Sequence, residues 1–360
     1  MTHDFLIIGG GIAGVSAAAR LSELGSVWLA ETEPHLAHHA SGRSAALFEP
    51  RYGKPAIVAL SYGSEDHLAH AHGGVLSPRG MMIVAGAEER AAFEAEAGYM
   101  DLTEIPVDEA RAWVPILNPD TVRFAAKGVE ARDIDTDLLI QNFAREARQN
   151  GATIQTGAAV TALTRDPDGI WTARTAEGEI QARIVVNASG AWADQVAGMA
   201  GVAPLGLVPN RRSMARIPAP GGHDVSRWPM IFGVGETWYA KPDAGALIVS
   251  PAEEHPMEPH DAWADDMVLA EGLARYEERV TEPVTRLISS WAGLRTFAPD
   301  RVPVIGFDPI QPGFFWLAGQ GGYGFQTSAA ASALVADLIG GRAPQLDGDV
   351  VAALSASRFR

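Results

Sequence analysis

Arg295 stands alone as a cation in the largely apolar run Trp291-Ala292-Gly293-Leu294-Arg295-Thr296-Phe297. A guanidinium is a planar fork that meets a carboxylate with two parallel hydrogen bonds, so this residue reads as an anchor for a small carboxylate-bearing molecule. A structural ion pair is the plainer alternative. Tyr52 and Tyr239 are suitable neighbours, because a phenol can donate and accept while its ring walls an apolar space. Taken alone, each is equally a packing residue.

A second group of residues has the spacing of a dinucleotide cradle. Phe5, Leu6, Ile7 and Ile8 form a short unbroken apolar run, the mark of a strand buried on both faces, and three glycines end it. Gly9, Gly11 and Gly14 follow the GxGxxG pattern. The first permits a tight turn, the second lets backbone approach a pyrophosphate, and the third lets helix pack on strand. Residues 12–24 are mostly alanine, leucine, isoleucine and valine and predict a helix that stops at Gly25, with N-terminal amides free to bind phosphate. A second strand over 27–30 leads to Glu31, 20 residues after Gly11, where a carboxylate accepts ribose hydroxyls and repels a 2′-phosphate. Strand, turn, helix and strand in this order make a right-handed βαβ unit. The motif alone leaves NAD and FAD both open.

A second glycine loop, Gly319-Gln320-Gly321-Gly322-Tyr323-Gly324, joins an apolar strand over 314–318 to an alanine-rich helix over 327–339. If it returns to the first site, it serves a ligand longer than one nucleotide. Its positive helix end suits the N1/C2 carbonyl region of a reduced flavin.

The elements that must hold these groups follow from pattern. A helix starts after Asp135 and stops at Asn150-Gly151; runs at 158–164, 170–175 and 179–186 form an antiparallel meander. Further runs at 230–234, 237–241 and 246–250 indicate a second sheet. The architecture predicted is α/β, with a Rossmann-type cofactor domain (1–47, 133–206 and 300–360) interleaved with an antiparallel-sheet substrate domain (48–132 and 207–299).

Composition narrows the function. With 47% apolar residues over 360 positions, the chain has ample core for two or three domains. Its net charge of −16 repels polyanions, and the densest basic stretch, Arg211, Arg212 and Arg216, is too thin for a nucleic-acid footprint. The absence of cysteine excludes disulfides, thiolate metal sites, thiol catalysis and a cysteinyl flavin link, and suits a reducing cytosol. The apolar stretch 5–19 is shorter than the roughly 18 residues of a membrane span. Asp4 and the glycines also argue against a secretory leader. His35, His38 and His39 are expected to be solvated or bonded to backbone, with no metal. The acidic cluster Glu253, Glu254, Glu258, Asp261, Asp265 and Asp266 is expected to be solvated surface.

The Gly9 to Glu31 pattern, His38-His39-Ala40-Ser41-Gly42-Arg43-Ser44-Ala45-Ala46, Trp291-Ala292-Gly293-Leu294-Arg295 and Gln320-Gly321-Gly322-Tyr323-Gly324 together resemble the glycine oxidase and D-amino acid oxidase superfamily of flavoenzymes. The chain is most similar to D-arginine dehydrogenase and related D-amino acid dehydrogenases. The resemblance implies non-covalent FAD, its ADP half held by Gly9, Gly11, Ile12, Ala13, Gly14, Glu31 and Thr32, with Val160, Gly190 and Trp192 beside adenine and pyrophosphate. Arg43, Ser44, Ala45 and Ala46 would lie along the flavin. Gly321, Gly322, Tyr323, Gly324 and Thr327 would hold its ring and ribityl chain. Arg295 would bind the substrate carboxylate, with Tyr52, Tyr239 and Gly322 beside it.

The implied reaction is oxidation of a small D-amino acid to an imino acid, which water hydrolyses to keto acid and ammonia. Glycine, sarcosine, proline or another secondary amine fits the same chemistry, with oxygen, a quinone or another carrier as acceptor. The rivals are a colourless pyridine-nucleotide dehydrogenase and a flavin-binding subunit of a larger amine dehydrogenase complex.

One departure from the D-arginine dehydrogenase pattern bears on substrate. That pattern has a histidine after Gly-Arg-Ser-Ala-Ala and a glutamate in the strand after Ser-Pro-Arg, where this chain has Leu47 and Met81. A pocket walled by these two predicts a preference for neutral, apolar amino acids. Glu49, nearby, is the one residue positioned to restore a carboxylate.

Overall fold

The computed structural model describes residues 1–360 and places their strands in two large sheets and one small one. In the first, Thr2–Ile8 pairs in parallel with Val27–Ala30 on one side, Ile8 facing Ala30, and with Gly178–Asn187 on the other, Ile8 facing Asn187. Side chains alternate along the central strand with the period of two that a strand imposes: Phe5 and Ile7 join one core, Leu6 and Ile8 the other. Three helices, Ile12–Leu21, Thr136–Gln149 and Ser328–Ile339, pack on the face of Ile7, bringing Val15, Phe143 and Leu334 into one cluster.

The long strand Gly178–Asn187 serves two neighbours in succession. Its first half pairs antiparallel with Trp171–Thr175, continuing the meander to Ala162–Arg165. Its second half pairs in parallel with Phe314–Ala318, Asn187 facing Trp316. The turns after Ile8 and Ala318 therefore leave the same edge of the sheet, one strand apart. The C-terminal glycine loop thus returns to the first, although 310 residues separate Gly9 from Gly319.

Several boundaries shift from the sequence reading, two of them for reasons visible in the hydrogen bonds. The first helix ends at Leu21, because the Ser22 hydroxyl donates to the Ala19 carbonyl at 2.7 Å and competes with the helical ladder. The meander begins at Ala162 because 158–160 leave the sheet, Ala158 N donating to the Glu31 carbonyl at 2.7 Å.

The second sheet runs His255–Pro256, Val208–Pro218, Ala246–Ser250, Tyr239–Asp243, Met230–Gly233, Met81–Ala85, Phe124–Gly128 and Thr103–Ile105, with Ser289–Phe297 also on Val208–Pro218. It is antiparallel except where Met230–Gly233 lies parallel to Met81–Ala85, a correction to the all-antiparallel expectation. Ser289–Phe297 holds Val208–Pro218 through nine consecutive pairs, which fixes Arg295 opposite Asn210. The small sheet joins Leu47–Phe48, Arg132–Ile134 and Leu76–Pro78, where the chain passes between the large sheets. No helix is long and apolar enough to cross a membrane.

Candidate active site and cofactor cradle

Three adjoining cavities form one trough along the ends of these sheets. The outer cavity, about 420 Å³, is walled by Gly9, Gly11, Glu31, Thr32, Arg43, Val160, Gly190 and Trp192. The middle one, about 130 Å³, shares Gly11, Arg43 and Gly190 with it and adds Ile12, Ala13, Gly321, Gly322 and Gly324. The inner cavity, about 350 Å³, shares Ser44, Gly322 and Arg295 with the middle and adds Ala45, Ala46, Leu47, Tyr52, Met81 and Tyr239. Most residues singled out from sequence therefore line a single trough.

Three stand behind its wall. A Cβ on Gly14 would lie 1.9 Å from the Gly9 carbonyl oxygen, so Gly14 permits close packing and leaves the surface to its neighbours. The Tyr323 ring packs on Tyr52 at 5.2 Å, and the Thr327 hydroxyl donates to the Tyr323 carbonyl at 2.9 Å. Tyr323 and Thr327 thus brace the loop.

At the outer end Glu31 already accepts two backbone amides, from Gly10 at 2.5 Å and Glu33 at 2.8 Å. These bonds fix its carboxylate at the strand end and leave lone pairs free for hydroxyls. Ser41 Oγ accepts the first helical amide, that of Ile12, at 3.0 Å. In the middle section, Thr296 Oγ1 and Gln320 Nε2 are buried with no hydrogen-bond partner. Buried polar atoms are rarely left so, and a bound polar group would satisfy them. A glycine-floored trough with orphaned polar atoms midway fits an extended dinucleotide.

Arg43 lines both the outer and the middle cavities. Its guanidinium donates to the carbonyls of Ala262 at 2.8 Å and Ala292 at 3.0 Å and pairs with Asp261, so it ties the loop around Asp261 to the cradle. The histidines are also not simply solvated: His39 Nε2 lies 2.9 Å from Glu33, and His38 Nε2 lies 3.6 Å from Asp261. The ligand atoms of Glu33, His38 and His39 lie within 4.8 Å of one another. The acidic cluster is likewise largely paired. Glu253 is buried beside Arg211, Glu254 meets Arg212 and Arg301, and Asp265 caps the helix Asp266–Glu277.

The inner cavity is organised by a residue that the sequence reading missed. Glu236 accepts from the Tyr52 hydroxyl at 2.7 Å and from Arg212 at 2.8 Å, and lies 3.8 Å from Arg295. Burial alone would push its carboxyl up, but Arg212, Arg295 and the Tyr52 hydroxyl hold it below the usual carboxylate range. Burial, with Glu236 alongside, pushes the Tyr52 phenol well above its ordinary value, so Tyr52 stays a donor. Gly322 lets Arg295 lie flush with the glycine loop, since a Cβ there would sit 3.0 Å from the guanidinium carbon. Tyr239 presents its ring to the cavity while its hydroxyl turns to Met214 Sδ at 3.3 Å, which does not support the expected polar role toward substrate. Its strand neighbour Lys241 donates to the carbonyls of Ala45 at 2.5 Å and Ala46 at 3.2 Å and pairs with Asp133 at 2.9 Å. It thereby supports the turn in which Ala46 takes a φ of +56°.

The wall of Leu47 and Met81 is present, yet Glu49, Glu96 and Glu236 line the same cavity. The expected apolar pocket is therefore only partly realised.

Residues 4–338 match the family model for FAD dependent oxidoreductases, DAO. The chain belongs to the DAO family. It is an FAD-dependent oxidoreductase. It is similar to glycine oxidase of Pseudomonas aeruginosa, 26% identical over 96% of this chain and 97% of that one. Among solved structures it resembles glycine oxidase from Geobacillus kaustophilus (TM-score 0.83, 22% identity, covering 100% of this chain and 99% of that one). A further likeness is to L-proline dehydrogenase from P. horikoshii (TM-score 0.84, 22% identity, 99% and 98%).

For this DAO-family chain, FAD is expected to be released intact. Acid precipitation of purified protein should leave the yellow colour in the supernatant, because no cysteine offers a link. Flavin retained in the pellet would contradict this.

Proposed function

We propose that this DAO-family protein oxidises the carbon beside the amine nitrogen of a small amino acid, of D configuration, to an imino acid that water hydrolyses to keto acid and ammonia. The D configuration rests on the sequence resemblance. The observation that carries the reaction class is Arg295, a cation facing the cavity beside Gly322 and Tyr52 where the cradle ends. The bound flavin supplies the hydride acceptor at N5.

The protein's own residues bind and orient. Arg295 takes the substrate carboxylate as a bidentate partner, in place of its loose 3.8 Å contact with Glu236. Tyr52 remains protonated and offers its hydroxyl as a donor. Glu236, held ionised by Arg212, places negative charge beside the substrate's amine nitrogen. The rings of Tyr239 and Phe232 exclude water. No side chain forms a covalent bond; positioning of the Cα–H supplies most of the effect. In the same reading, residues 1–47, 133–206 and 300–360 make the cofactor domain, and the lack of cysteine suits a cytosolic enzyme.

A visible spectrum followed by anaerobic titration with D- and L-amino acids, glycine, sarcosine and proline tests the proposal. We expect flavin bleaching by one or more of them, with D enantiomers favoured. A yellow protein inert to the whole panel would point instead to a flavin-binding subunit, and faster reduction by L enantiomers would remove the D assignment.

A further inference from the structure

We propose that Glu49 and Glu96 form a subsite for a second cationic group, an ammonium or guanidinium carried on the side chain of the substrate. The inference rests on the proposed amino acid oxidation and names its substrate class.

Three acidic residues line the inner cavity, Glu49 buried and Glu96 partly so, and only Glu236 is matched by cations. Glu236 is held by Arg212, Arg295 and the Tyr52 hydroxyl. Glu49 is 5% exposed, lines the cavity, and its carboxylate accepts only the Arg51 peptide N–H, at 3.2 Å. The two arginines nearest in charge to it are engaged elsewhere: Arg51 pairs with Asp101 and Arg132 with Glu65. Glu96, on the helix Arg90–Tyr99, accepts only the Gly235 amide at 2.7 Å. Burial pushes both carboxyls up, the behaviour of buried acids short of a counter-charge.

An unpaired buried carboxylate is costly, and a ligand that brings the missing cation turns that cost into affinity. A neutral apolar side chain would displace water from both carboxylates and return nothing. Leu47 and Met81 line the same cavity and offer apolar surface to the methylene stem of a long cationic side chain. The apolar wall and the carboxylates thus describe one amphipathic ligand.

The test uses the FAD-loaded protein and two probes that lack a Cα–H and so bind without reacting: α-methyllysine and α-methylnorleucine, which have the same carbon skeleton. Affinity is read from perturbation of the flavin absorbance. Binding of α-methyllysine should be about tenfold tighter or more. The preference should vanish in the Glu49→Gln, Glu96→Gln double variant, which keeps shape and removes charge. Equal affinity, tighter binding of the neutral probe, no binding of either, or a preference surviving in the double variant overturns the proposal. The wild-type comparison decides even if the variant folds poorly. Flavin reduction by glycine or D-alanine, which carry no second charge, judges the oxidation independently.

Discussion

Replacing Arg295 by lysine is expected to raise the apparent KM for the best amino acid about tenfold to hundredfold, a loss of about 1.4 to 2.8 kcal/mol. The guanidinium lies against Gly322 on a strand locked by nine pairs, so its fork is presented in one orientation. A lysine ammonium is a point charge with no second parallel donor, and the shorter reach leaves the Gly322 surface unfilled. FAD content should not change, because the cradle residues from Gly9 to Glu31 lie at the other end of the trough. Steady-state kinetics beside flavin quantitation separates the two effects. An unchanged KM would remove Arg295 from the substrate site.

Lys241→Met should have the larger effect on folding. Lys241 is 7% exposed and holds the Ala45 and Ala46 carbonyls together with Asp133. Methionine fills a similar volume but strands these acceptors, leaving Asp133 to Arg79 alone. With Arg79 still on Asp133, the cost is that of the stranded carbonyl acceptors, about 1 to 3 kcal/mol, a sizeable share of a typical domain's stability. The Ala46 turn, strained at positive φ, should relax, and the wall of the inner cavity with it. A drop in the urea midpoint together with a shifted flavin spectrum is the expected pair of observations. If neither moves, Lys241 is not the support of that turn.

The cradle was legible because its signals are local. Gly9, Gly11, Gly14 and Glu31 lie within one βαβ unit, and each glycine answers a steric demand of its own turn. The inner cavity was legible only in part, since its key contacts join residues far apart in the chain. Tyr52, Arg212 and Arg295 meet around the Glu236 carboxylate, yet they come from distant parts of the sequence. Arg212 was read as part of a thin basic stretch; it is 3% exposed and binds Glu236. The one local hint for Glu236 was Gly233-Val234-Gly235, a turn between strands of the kind that often carries function.

Leu47 and Met81 line the inner cavity, but a wall inferred from two positions omits whatever other elements bring. Glu96 arrives on a helix with no pattern of its own, and Glu49 is buried in a segment whose backbone amide is held by the distant Gln326 side chain at 3.2 Å. Similarly, His38 and His39 both meet Glu33, a few residues back, as well as Asp261, more than two hundred residues on, and only the second partner is hidden by distance in sequence.

The placement of Gly178–Asn187 between the two strands that lead into the glycine loops constrains how the protein is made. On the ribosome, Thr2–Ile8 can pair at once with Val27–Ala30, but its other edge waits until residue 187 has emerged. Until then an apolar strand edge stays open to association with other chains. Gly319, which opens the far wall of the trough, is synthesised 310 residues after Gly9, so the trough takes shape only when both have emerged.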